Sequence, residues 1–254
     1  MGLVLVLIAA FPSAAAADHS WGSYHWARTS NSFTLLVGYN VSTTWDQYLD
    51  EAIVDWNEST VLQLAETAGR ARGKNCRPTA GRIEACSASY GSTGWLGVAQ
   101  IWVRGSHITQ ATTRVNDTYF NTATYNSPAW RRLVMCQEIA HDFGLDHQDE
   151  IFNNPNLGSC MDYTNDPDGG AGGASPTDLS NEHPNLHDYE QLETIYEHFD
   201  STSTVGQVAA AGEPGNAPAS WGQLVRGSQA SGVSLYVLDL GNGQRVYTHV
   251  IWAR

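Results

Sequence analysis

Between Cys136 and His147 the chain reads Cys-Gln-Glu-Ile-Ala-His-Asp-Phe-Gly-Leu-Asp-His. Gln137 and His141 are four apart, so on an α-helix they share a face, about one turn from each other. Glu138 stands beside the first of them. Gly144 comes three residues after His141 and lets the chain reverse at a positive φ, which returns His147 toward His141. Gln137, His141 and His147 would then be three metal ligands with Glu138 within reach. Three donors, an open position for water and a neighbouring base are what a catalytic zinc site requires.

This stretch resembles the zinc signature of metzincin metalloproteases, His-Glu-x-x-His-x-x-Gly-x-x-His. It matches at Glu138, His141, Gly144 and His147, with Gln137 where the first histidine stands. Downstream, Ser159, Cys160, Met161, Asp162 and Tyr163 resemble the Met-turn of that family. A helix with histidines merely at its surface does not explain the glycine, the second histidine of the turn and the methionine together. The resemblance spans residues 32–199. It implies an α+β metzincin-type catalytic domain: a twisted mixed sheet, an active-site helix, a Met-turn and a C-terminal helix.

The resemblance also implies a function. The chain is expected to be a zinc-dependent endopeptidase, with calcium as a further structural ion. Glu138 takes the role of general base and Met161 supports the site. Tyr163 lies two after Met161, where astacins and serralysins carry a tyrosine that can ligate the metal and stabilise the oxyanion; matrixins have proline there. The sequence from Gly97 to Ile101 resembles the matrixin edge strand that pairs with an extended protein or peptide substrate. Gln137 is the departure. A carboxamide oxygen is neutral and a poorer zinc ligand than imidazole. The alternative is therefore a catalytically inactive metzincin-fold binding protein with weak zinc or none.

Several elements must position these groups. Residues 33–41 are rich in branched and aromatic types and predict a first strand. Thr44 with Gln47 predicts a capping box, and Trp45, Tyr48, Leu49, Ala52, Ile53 and Trp56 recur at helical spacing up to Asn57. That aromatic stripe is read as core. Strands are expected over 61–64, 95–103 and 107–115, with a surface loop over 69–92. His107 is expected to be a solitary structural or surface residue, and residues 19–32 an irregular lead-in. Ser127-Pro128 opens the metal-bearing helix, which runs to Phe143. A Gly-rich loop comes next at 166–174, and His183-Pro184 opens a last helix of Leu186, Tyr189, Leu192, Ile195, Tyr196 and Phe199.

Composition sets the outer frame. A formal net charge of −13 and a pI near 4.9 argue against nucleic acid or anionic membrane as partner, and a monomer is expected. Residues 1–17 read as a signal peptide, with an apolar run over 3–11 and four alanines after it, so the protein is expected to be secreted and extracellular. No propeptide-like or cysteine-bearing latency segment lies between there and Phe33, so latency must be arranged elsewhere. Four cysteines allow three pairings. Cys76–Cys86 is favoured because it closes a short loop, and Cys136–Cys160 because it ties the metal helix to the Met-turn. The domain boundaries read as 18–200 for the protease-like domain, 201–220 for a Ser/Ala/Gly/Pro-rich linker and 221–254 for a β-hairpin appendage.

Overall fold

The computed structural model describes residues 19–71, 74–170, 176–206 and 214–254; the expected leader lies outside them, as does part of the Gly-rich loop. The fold is mixed α+β, built on one large sheet. Its strands are β1 (His25–Trp26), β2 (Phe33–Asn40), β3 (Leu62–Ala68), β4 (Ile83–Ala88), β5 (Trp95–Arg104), β6 (His107–Asn116), β7 (Gln223–Ser228), β8 (Val233–Gly241) and β9 (Gln244–Trp252). They run in the order β3-β2-β4-β6-β5-β9-β8-β7, with β1 pairing beside β6. The first four of that order are parallel. From β6 onward every pairing is antiparallel.

Two helices lie together against this sheet. Helix α1 (Asp46–Trp56) buries Tyr48, Leu49, Ala52, Ile53 and Trp56, the stripe expected to be core. The Trp56 indole donates to the Cys136 carbonyl at 3.1 Å, which seats α1 on α3 (Pro128–His141). A short α2 (Asp117–Phe120) precedes α3, and α4 (Leu186–Ile195) lies later in the chain. Ser127 caps α3, its side chain accepting from the Trp130 amide at 3.3 Å with Pro128 at the first turn. Both favoured disulfides are present, Cys76–Cys86 and Cys136–Cys160. Among the described residues no helix is long and apolar enough to cross a membrane.

Several expectations need correction. The Thr44/Gln47 capping box does not form: the residue before α1 is Trp45, which makes no side-chain cap and is wholly buried against Phe120. Residues 69–92 are not all loop, because β4 lies inside the sheet between β2 and β6. Its charge concealed it. Glu84 is fully buried but accepts from Arg82 Nε at 2.8 Å and from Asn40 Nδ2 at 2.7 Å. The lead-in over 19–32 is packed structure, with β1 parallel to β6 and both Trp21 and Trp26 buried. Helix α4 starts at an Asn185/Asp188 capping box rather than at His183-Pro184 and ends at Ile195. His107 is not solitary either; its Nε2 lies 3.0 Å from Asp200 Oδ1.

The C-terminal stretch holds three strands, not two, and it continues the sheet. Strand β9 pairs with β5 over nearly its whole length, with Ala99 opposite His249 and Gly97 opposite Ile251. The expected free edge at residues 97–101 is thus taken: β5 is bonded by β6 on one side and β9 on the other.

Candidate metal centre

Helix α3 ends at His141 and the chain then turns through Gly144. That glycine has φ 104°, and a Cβ there would collide with the Tyr24 carbonyl oxygen, so no other residue fits without moving backbone. The turn brings the Leu145 carbonyl 2.8 Å from His141 Nδ1, and it returns His147 Nε2 to 3.2 Å from His141 Nε2. His147 Nδ1 faces Glu150 Oε1 at 3.4 Å. A carbonyl and a carboxylate only accept, so each Nδ1 carries the proton and each Nε2 presents a lone pair. Two lone pairs then face each other in a buried space. A further proton is disfavoured, since burial and then the neighbouring His147 lower His141 to about 3. A divalent cation between them would relieve the clash, and ligand nitrogens on a tetrahedral zinc sit about 3.3 Å apart.

The third imidazole comes from a strand that no local pattern ties to the motif. The ring of His249 on β9 lies tilted over His141 with centroids 4.0 Å apart and meets His147 at 4.4 Å. A ring nitrogen from each of His141, His147 and His249 lies within 4.8 Å of the other two. His249 is buried, its Nδ1 has no hydrogen-bond partner, and burial holds its pKa well below the usual value. The one local hint was a lone histidine on a mostly apolar and aromatic strand, and alternation alone cannot say which strand it will pair with. Three buried imidazoles are a donor set that suits zinc or a similar divalent cation.

Glu138 is fully buried one turn before His141, and neither carboxylate oxygen makes a well-formed hydrogen bond. Burial, and then Asp142, push its pKa well above the carboxylate range; the Ala99 amide offsets this only in part. Its side chain lies against bare backbone. A Cβ on Gly97 would come within 2.5 Å of Glu138 Oε1, so β5 needs glycine at that point. Gln137 braces the turn that carries Met161. Its Nε2 donates to the Cys160 carbonyl at 2.7 Å while Oε1 stays buried without a partner. That leaves one oxygen free to face a cation. The Cys136–Cys160 disulfide and a 2.8 Å bond from the Gln148 amide to the Met161 carbonyl hold the same turn to α3 and to the segment after His147. Met161 itself is fully buried. The ring of Tyr163 meets His147 edge-on at 4.6 Å, but its hydroxyl donates to the Gly232 carbonyl at 3.2 Å.

The C-terminal strands close this centre. Arg226 on β7 grips Asp146 at 2.6 and 2.7 Å, and its Nε reaches Glu150 at 3.1 Å, so it anchors the carboxylate that orients His147. Trp21 lays its ring edge toward both His141 and His249. Ile251 and Trp252, with Leu96, Trp130, Gln137 and Tyr163, line a narrow pocket that leaves room for about one water molecule. Compared with the profiles of known protein families and with curated protein sequences, the chain has no match.

Proposed function

We propose that this chain is a secreted zinc-dependent endopeptidase of the metzincin type, held in a closed form by its own C-terminal strands. The observation that carries this reading is the approach of His141 Nε2 and His147 Nε2 to 3.2 Å, with the buried Glu138 carboxylate one turn away. The strand order β3-β2-β4-β6-β5 with β5 antiparallel agrees with it. So does the disulfide-tied turn bearing Met161. When bound, zinc supplies Lewis-acid polarisation of a carbonyl and lowers the pKa of a water. Glu138, held above its ordinary range by burial, is the base that takes a proton from the attacking water at one Oε and returns it to the leaving amine. Strand β5 aligns an extended peptide through backbone hydrogen bonds.

In the closed form β9 lies along β5 antiparallel, as such a peptide would, and His249 fills a ligand position. Once β9 leaves, Gln137, His141 and His147 are the donors that remain on α3 and the turn after it. A second reading, a catalytically silent metal-stabilised binding protein, is favoured by one fact: the third imidazole belongs to the strand that covers the site.

Limited proteolysis of the zinc-loaded protein, quenched before assay on unfolded casein, separates the two readings. Hydrolysis should appear as residues 221–254 are released. The Glu138→Gln protein, treated alike, should stay at least about 10²-fold slower. Zinc retained without hydrolysis in the treated wild type makes the silent reading the correct one.

A further inference from the structure

Away from that centre, four side chains from three separated stretches converge. His25 lies on β1, His107 begins β6, and His198 and Asp200 come after α4. His107 Nε2 is 3.0 Å from Asp200 Oδ1, His25 Nε2 is 3.4 Å from the same oxygen, and His198 Nε2 is 3.8 Å from it. His198 Nε2 and His25 Nε2 are 3.2 Å apart. Tetrahedral ligands at zinc distances stand about 3.3 Å from one another, close to the 3.2, 3.4 and 3.8 Å separations among the ligand atoms of His25, His198 and Asp200.

The groups behind them are in position as well. His25 Nδ1 donates to the Ser23 carbonyl at 2.8 Å, so its Nε2 offers a lone pair toward both His198 and a carboxylate oxygen. Asp200 Oδ2 accepts the Arg28 amide at 2.9 Å, which fixes the carboxylate and leaves Oδ1 turned to the three rings. A lone pair against a carboxylate requires a second proton or a cation between them. The ligand atoms of His25, His198 and Asp200 are spaced for a cation between them, and His107 bonds the same carboxylate from outside that set.

We propose that His25, His198 and Asp200, with His107 orienting the Asp200 carboxylate, hold a second divalent cation, zinc by its two imidazoles and one carboxylate, which ties the N-terminal segment to the body of the protein. That segment carries Trp21 over His141 and His249, and His19 Nδ1 against the Asp146 carbonyl at 3.0 Å. The ion clamps it where β1, the start of β6 and the chain after α4 meet. A cation here is structural, and the proposal stands independently of the peptidase reading.

The test uses the full chain, loaded with zinc and dialysed, with metal per chain measured by mass spectrometry. The double variant His107→Ala/His198→Ala alters two part-exposed side chains, so the fold should persist. It should carry one zinc fewer than the wild type, whatever the first centre retains, and added zinc should raise its melting temperature less. Crystals should show an anomalous peak at the zinc edge among the four side chains. Equal zinc content in the two proteins, or no peak at that position, overturns the proposal.

Discussion

Replacing His249 by alanine takes one of three imidazoles from a buried centre, and zinc should then be stripped by a chelator that the wild type resists. The loss should be at least tenfold in apparent affinity, since even an outer-shell partner is worth about 10–100-fold. Adding Gln137→His to that variant should restore retention, because the carboxamide oxygen without a partner lies on α3 one turn before His141. Metal content unchanged by the second substitution means that Gln137 does not face the ion. Asp162 gives a pH effect of defined sign. Burial raises its pKa from 3.8 to about 6, against the pull of the Leu157 amide and Asn181. A raised carboxyl pKa adds stability that is complete below about pH 4 and lost as the pH climbs through 6. Urea unfolding of Asp162→Asn should therefore fall less between pH 4 and 6 than that of the wild type, and the two should run parallel above pH 7.

At the scale of elements, Arg226 on β7 ties the C-terminal strands to the loop that carries His147. Arg226→Ala removes the bonds to Asp146 and Glu150. For a pair this exposed the cost is about 1 kcal/mol. Amides of β9 that bond to β5 should then exchange roughly fivefold faster, and unchanged exchange would show that the strands are held by packing alone. Local pattern explains which elements were legible in the sequence. The stripe of α1, the Ser127-Pro128 start of α3 and the glycine-reversed loop to His147 each depend on neighbours a few residues apart. Strand β4 was not legible, because its buried Glu84 is neutralised by Arg82 and Asn40, and only the pairings with β2 and β6 bring it into the sheet. A hairpin was readable from the Gly241-Asn242-Gly243 turn, where Asn242 takes a positive φ. Its docking on β5, and with it the place of His249 beside His141 and His147, was not readable, since strand partners are chosen by long-range burial that a single sequence does not display.

Across the whole molecule, the sheet runs without a break from β3 to β7, and its central strand β5 meets its two neighbours at very different points in the chain. Strand β6 comes after β5 across a two-residue turn, whereas the contact of Arg104 with Gln244 closes a loop of roughly 140 residues. Pairings that distant form slowly compared with local ones. During folding β5 and β6 therefore zip together first and wait for β9. In that interval β5 offers an unpaired row of amides and carbonyls to any other chain, the hazard of an open sheet edge. Over the same interval His141 and His147 stand together without His249. The late arrival of β9 would end both exposures at once, so a single slow docking step would set how long a nascent molecule stays prone to sticking and how soon the third imidazole joins the other two.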